Sequence, residues 1–259
     1  MEVRSFFWIV LSFFCIFVPM KIFSELSVNH FDRSYWFAFL CLIALMSTIV
    51  CGTRIKTKGD IVPSLNTGLG CFGFLIASLF LWNSYTFSVS IPVEGLNVSY
   101  KIMSVISIFV AVVFAIVSYS HFKRENLFKK FSFFRLFVFL PSVYFLISLT
   151  FSLVLATTPD PYSMAAQSAI LIFLVYFSLV FVKKDTKINV KKRLFTFSSL
   201  SFVISSLAYI PFLIKNSFVF ASADTSMSLS YLLISLYALF FCLQIAKDSE
   251  YSKQGSLSQ

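Results

Sequence analysis

Charge is scarce in this sequence, and acid is the scarcest part of it. Only 12% of the 259 residues are Asp, Glu, Lys or Arg, and just 11 are acidic. A soluble globular chain is about 25% charged and about 45–50% apolar. Here the apolar share is 58% and the mean hydropathy is +0.87. That balance excludes a soluble globular protein and a disordered one. Histidine occurs only twice, and the five cysteines lie in or at the ends of apolar stretches with no C-x-x-C spacing. Cys15, Cys41, Cys51, Cys71 and Cys242 therefore read as small buried hydrophobes, with no disulfide, no metal site and no cofactor expected.

What is present is apolar sequence in membrane-length pieces. Eight segments stand out, at about 6–24, 35–53, 61–83, 102–120, 135–156, 163–182, 194–214 and 227–246. Each approximates the 17–25 residues that cross a hydrocarbon core as a helix. Barrel strands would alternate in polarity over about 10 residues. Runs such as Ile170-Leu171-Ile172-Phe173-Leu174-Val175 do not alternate. The expected fold is all-α: a polytopic transmembrane helical bundle of about eight spans. It forms a single transmembrane domain over 1–246, with a short cytoplasmic tail over 247–259.

The formal net charge is +10, but the placement of the charges argues against nucleic acid. Of the 21 Lys+Arg, 17 fall in 1–5, 54–60, 121–135, 183–193 or the tail. The other side holds only Lys21, Arg33, Lys101 and Lys215. The positive-inside rule puts the first set in the cytoplasm, so both termini are cytoplasmic and the number of spans is even. The first segment lacks an A-x-A-like cleavage site and reads as an uncleaved helix. From His121 to Arg135, Phe122, Phe128, Phe131 and Phe134 interleave with Lys123, Arg124, Lys129 and Lys130. That pattern reads as an amphipathic approach lying on anionic headgroups of the inner leaflet, at about 1 kcal/mol per basic residue. Trp82, Tyr85 and Tyr100 suit the opposite interfacial belt.

Gly68-Leu69-Gly70-Cys71-Phe72-Gly73 matches G-x-G-x-x-G letter for letter. A dinucleotide site needs that motif between a strand and a helix, and here it lies within an apolar span. Asn66, Gly70, Gly73 and Ala77 instead share one helical face, where small residues admit a neighbouring helix and Asn66 can bond across. The seventh segment offers a partner face, with Ser198, Ser201, Ser205 and Ala208 aligned and Tyr209 beside them. The candidate polar packing or cavity face is thus Asn66, Gly70, Gly73, Ser201, Ser205 and Tyr209. A second candidate is the outer charged patch Glu25, His30, Asp32 and Arg33.

Signals for chemistry are few. All 11 carboxylates lie in loops or at span ends, whereas pumps and proton-coupled carriers keep ionisable groups at membrane depth. Asn66 is about 8 Å from the inner end of its span and Gln167 about 6 Å from the outer end of its own, at a rise of about 1.5 Å per residue. Only hydroxyls such as Ser205, Tyr209 and Tyr176 reach the centre. There is no H-E-x-x-H, no G-x-S-x-G and no aspartate pair within a span. His30 and His121 fall on opposite sides and read as solvated or interfacial. No catalytic residue is assigned.

The rhythm from Leu140-Pro141 to Thr158, then Lys192-Arg193-Leu194-Phe195 through Ile210-Pro211-Phe212-Leu213-Ile214, resembles uncharacterised eight-span integral membrane proteins of anaerobic Gram-positive bacteria. The resemblance covers about the fifth to seventh spans. It implies eight spans and a bacterial plasma membrane, and carries no activity or site residues with it.

The functional expectation is a multi-pass, non-enzymatic accessory, binding or sensory component, with the bilayer and a membrane protein as its partners. Two alternatives stand beside it. One is a transporter or permease subunit for a neutral or weakly polar solute. The other is a lipid-modifying membrane enzyme.

Overall fold

The computed structural model describes residues 3–26, 66–89, 97–125, 127–130, 134–155, 161–182, 188–216 and 222–257. These form nine helices and, among the described residues, no strand: α1 (Val3–Leu26), α2 (Thr67–Val89), α3 (Asn97–Lys123), α4 (Leu127–Lys130), α5 (Phe134–Phe137), α6 (Leu140–Leu155), α7 (Pro161–Val182), α8 (Ile188–Lys215) and α9 (Ala223–Leu257). Among the described residues, six stretches are long and apolar enough to cross a membrane: Thr67–Val89, Val98–Lys123, Arg135–Val154, Pro161–Val182, Arg193–Lys215 and Ala223–Gln244. α1 contributes a shorter apolar stretch, Trp8–Ile22. The expected segment 35–53 lies outside the described residues.

α2, α3 and α6 carry apolar outer stripes. On α3 the exposed residues are Ile102, Val105, Ile108, Phe109 and Val112, and on α6 they are Val143, Leu146, Leu153 and Val154. Spacings of three, four and seven put these on one face of a helix. Such apolar surface is stable only against lipid. With the six long apolar helices, it makes the chain a multi-pass helical membrane protein.

The six long helices form a closed ring. α2 packs on α3, α3 on α6, α6 on α7, α7 on α8, α8 on α9, and α9 back on α2. α8 is the most buried of them and also holds α1, where Phe14 stacks on Phe202 at 5.2 Å. Aromatic rings fill the middle. Phe80 meets Tyr144 edge-on at 5.1 Å, Phe114 meets Tyr237 at 6.1 Å, and Phe177 meets Phe241 at 5.0 Å.

Local sequence sets the helix limits. Asn66 caps α2, its Oδ1 accepting from Gly68 N at 2.9 Å, which satisfies one of the orphan donors of a first turn. α3 ends with Glu125 N donating to Ser120 O at 3.2 Å while Arg124 sits at φ 54°. This is a Schellman-type stop with arginine where glycine is usual. The fifth expected segment is interrupted. Pro141 cannot donate a backbone bond and crowds the carbonyl four residues back, so α5 stops at Phe137 and α6 starts at Leu140. The Val138 carbonyl at this break accepts from Ser178 Oγ of α7 at 2.8 Å.

The basic stretch after α3 departs from the expected surface amphipath. Phe128 of α4 is 0% exposed and meets Phe181 edge-on at 5.9 Å. Phe122 lies on Phe74 at 5.6 Å. Burial against α7 removes more of the Phe128 ring from water than an interfacial position would. Phe131 and the side chain of Phe134 lie outside the described residues.

Candidate functional site

The expected small-residue face of α2 finds a different neighbour from the one anticipated. A Cβ added at Gly70 would lie 3.2 Å from the Phe122 ring and from Ser118 O, and one at Gly73 would collide with Ser118 Oγ. Both glycines therefore face α3. Their anticipated partner, the helix carrying Ser201 and Ser205, packs instead against α1, α7 and α9. Ser201 turns its hydroxyl onto its own helix, donating to Ser198 O at 2.8 Å. Ser205 Oγ and Ser206 Oγ are buried with no hydrogen-bond partner among the described residues.

Asn66 belongs to a second polar group, at the α2 N-terminal end of the bundle. Its Nδ2 donates to Gln244 Oε1 of α9 at 3.3 Å, and its backbone N–H donates to His121 Nδ1 of α3 at 3.3 Å. His121 Nε2 lies 3.1 Å from the Tyr237 hydroxyl. The expectation of a solvated or interfacial histidine is thus corrected: His121 is 0% exposed, with its ring among Phe181 and Tyr237. Two polar partners, one on each ring nitrogen, replace its water, and that permits burial. In the outer charged patch, His30, Asp32 and Arg33 and the side chain of Glu25 lie outside the described residues. Among the described residues no three His, Cys, Asp or Glu side chains gather where a metal could be held.

The other end of the ring holds a cavity of about 270 Å³ between α6, α7, α8 and α9. Ser148 and Ser152 come from α6, Ser163 and Gln167 from α7, Ala208, Tyr209 and Phe212 from α8, and Asp224, Met227, Ser228 and Tyr231 from α9. Helical spacing brings them to one place. On α9 the four lining residues follow steps of three and four, and on α6 and α7 the pairs are one turn apart. At a rise of about 1.5 Å per residue, Ser148 lies about 10 Å inside the end of α6 and Tyr231 about 12 Å inside the start of α9. The cleft therefore reaches well into a hydrocarbon core about 30 Å thick.

Gln167 organises the cleft. Its Oε1 accepts from Ser148 Oγ at 3.2 Å, and its Nε2 donates to Ser152 Oγ and Ser163 Oγ, both at 3.4 Å. Ser148 and Tyr231 bring their hydroxyl oxygens within 2.7 Å. A hydroxyl carries one proton, so when Ser148 donates to Gln167 it is Tyr231 that donates to Ser148. Tyr209 OH reaches Ser163 at 3.4 Å. The amide's own bonds are at the long end of the range, so a solute with a better-placed donor or acceptor can exchange for them.

The floor is aromatic. Tyr231 meets Phe145 at 4.7 Å, Tyr209 at 5.6 Å and Tyr144 at 6.3 Å. Beneath it the ring-to-ring contacts continue through Tyr144, Phe80, Phe114 and Tyr237 to His121. The arrangement can bind and orient a small solute. Among the described residues its lining has one carboxylate, that of Asp224, and no imidazole, amine or thiol.

Beside the cleft, Asn83 is 0% exposed and is absent from the expected polar face. Its Nδ2 donates to Ser230 Oγ at 2.9 Å, and its Oδ1 accepts from Ser226 Oγ. The available signal was Ser226 and Ser230, one helical turn apart at the start of the eighth segment, which supply hydroxyls to one face for such an amide. Of the six residues of the expected polar face, Tyr209 alone lines the cleft.

No family model, no curated protein and no solved structure matches this chain. The residues of the cleft carry the functional reading by themselves.

Proposed function

We propose that this chain is an eight-span protein of a bacterial plasma membrane, with both termini cytoplasmic, and that it acts as a non-enzymatic binding or sensory component. In this reading α1, the segment 35–53 and the six long helices make the eight spans. The basic loops sit at the cytoplasmic face against anionic headgroups, and the cleft opens outward. The observation that carries the binding role is the Ser148–Gln167–Tyr231 network lining a cavity that closes on an aromatic floor. A closed floor favours capture of a solute over its passage. The resemblance of the fifth to seventh spans to uncharacterised eight-span bacterial proteins agrees with the topology.

A thermal-shift screen of the detergent-solubilised protein tests the binding role. A neutral or weakly polar solute at 100 times its Kd should stabilise the fold by about 2.7 kcal/mol, and Ser148→Leu should remove the shift. A shift that survives Ser148→Leu would move the binding site elsewhere. The topology has its own check. In a cysteine-free background, a membrane-impermeant maleimide applied to intact cells should label Lys101→Cys and leave Lys187→Cys untouched.

One observation favours the permease alternative. The unpartnered hydroxyl of Ser205 lies one helical turn from Tyr209 on the same helix, where it could receive a solute if the floor opened. Flux into proteoliposomes that is lost in Ser205→Leu without loss of folding would replace the sensory reading with this one. Co-purification with a second membrane protein would instead point to the accessory role. No arrangement in the cleft favours lipid chemistry.

A further inference from the structure

The charge and shape of the cleft narrow its solute, provided the cleft is the binding site. Among the described lining residues, Asp224 is the one that carries a charge at neutral pH. Among the described residues no basic side chain pairs with its carboxylate. The described basic residues at that end stand outside the lining: Lys21 lies over the Tyr162 ring at 4.6 Å, and Lys101 near the start of α3 and Lys215 at the end of α8 are exposed. A site with one negative charge and no positive one repels carboxylates and phosphates, and favours a single positive charge over none. Position explains the exposed acid without invoking a ligand, since a carboxylate in the first turn of α9 also complements the helix dipole. The walls below it supply a second, independent reason.

Those walls are aromatic and polarisable. Tyr209 and Tyr231 meet at 5.6 Å with their planes 68° apart, forming a corner beside Phe212 and Met227 in the same lining. An organic ammonium group is attracted to such ring faces within about 6 Å. A hydrated metal ion would gain less here, because the oxygens are hydroxyl and amide groups spread through the depth of the cleft rather than gathered round a point. The volume of about 270 Å³ equals about nine waters at about 30 Å³ each. Deeper in, Ser148, Gln167 and Tyr231 offer both donors and acceptors, which suits a hydroxyl or carbonyl tail.

We infer that the cleft takes a small organic monocation, an ammonium compound with a short polar tail. Asp224 acts as its counter-charge at the mouth, and Tyr209 and Tyr231 act as its aromatic walls. The mouth carboxylate is exposed, so added salt weakens its contribution while the aromatic contribution persists.

The test is a titration of the full-length, detergent-solubilised protein with choline, with the neutral carbon isostere of choline, and with acetate. The readouts are thermal shift and calorimetry. Choline should bind saturably, the isostere at least about tenfold more weakly, and acetate not at all. Asp224→Asn should weaken choline about fivefold to tenfold and leave the isostere unchanged, while Asp224→Glu retains choline binding. Tyr209→Leu should weaken choline more than the isostere. These ranges correspond to one exposed counter-charge and one cation–ring contact. Equal binding of choline and isostere, or no effect of Asp224→Asn, would overturn the cation assignment. The cleft would still stand as a site if Ser148→Leu, or the milder Ser152→Leu at the rim, abolished both. If no probe binds, or if binding ignores both leucine variants, the cleft reading and the cation assignment fail together.

Discussion

The hydroxyl oxygens of Ser148 on α6 and Tyr231 on α9 lie 2.7 Å apart, the shortest polar link in the cleft, and they tie two helices that the ring keeps on either side of Gln167. Tyr231→Phe keeps the ring contacts to Phe145 and Tyr209 and deletes only the hydroxyl. It should cost about 0.5–1.5 kcal/mol of stability and loosen solute binding severalfold. Thermal denaturation with and without solute separates the two effects. An unchanged melting temperature would mean that water in the cleft takes the place of the deleted hydroxyl beside Ser148.

Two glycines on α2 should respond to alanine with opposite signs. Gly68 is exposed, and an added Cβ meets only its own cap, Asn66 Oδ1, at 3.5 Å. Gly68→Ala should therefore gain up to about 1 kcal/mol of helix propensity. At Gly73 the methyl would collide with Ser118 Oγ, which donates to Phe114 O at 2.6 Å. Gly73→Ala should cost about 1–3 kcal/mol. Adding Ser118→Ala should recover most of that loss, since the remaining Cβ stands at 3.5 Å. A double-mutant cycle on melting temperature reads the coupling.

Asn83 joins α2 to α9 through Ser230 and Ser226. Asn83→Leu leaves the Ser226 hydroxyl without its acceptor and the Ser230 oxygen without its donor, and forces a branched chain into a polar slot. A loss of about 1–3 kcal/mol is expected, with weaker solute binding as α9 shifts. Asn83→Asp should be worse than Asn83→Leu, because it buries a charge with no basic partner. The reverse order would show that water reaches this slot.

The end of α3 offers a stabilising change. Arg124 sits at φ 54° in a helix stop that glycine fits without strain. Arg124→Gly should raise stability by up to about 1 kcal/mol, measurable as a higher melting temperature with solute affinity unaltered.

The kink before α6 relies on Ser178, whose hydroxyl lies 2.8 Å from both Val138 O and Leu174 O and shares its one proton between them. Ser178→Ala leaves the Val138 carbonyl without that donor in an apolar setting, at a cost of about 1–3 kcal/mol. Ser178→Thr should be milder. Equal effects from the two would mean that volume, not the hydroxyl, matters at this position.

Properties that depend on the chain locally were legible in the residues alone. A run of about 20 apolar residues must become a helix in lipid, because its backbone groups have no other partners there. Six expected segments accordingly overlap α2, α3, α6, α7, α8 and α9. Pro141 and Asn66 set helix limits through the chemistry of single residues, although the expected segments 135–156 and 61–83 ran through both. Partnership between faces was not legible. In a chain that is hydrophobic nearly all round, the apolar pattern does not say which side of a helix meets protein and which meets lipid. Gly70 and Gly73 announced a close approach, and the partner proved to be Ser118 and Phe122 of α3 rather than the serines of α8. Phe128 and His121 looked like surface residues beside basic ones, and only packing against Phe181 and Tyr237 turned them inward. The cleft is the clearest case. Ser148, Gln167, Tyr209, Asp224 and Tyr231 come from four helices with no spacing in common. The tertiary arrangement alone joins them, because hydrogen bonds among side chains this distant in sequence form only once the ring of helices has closed.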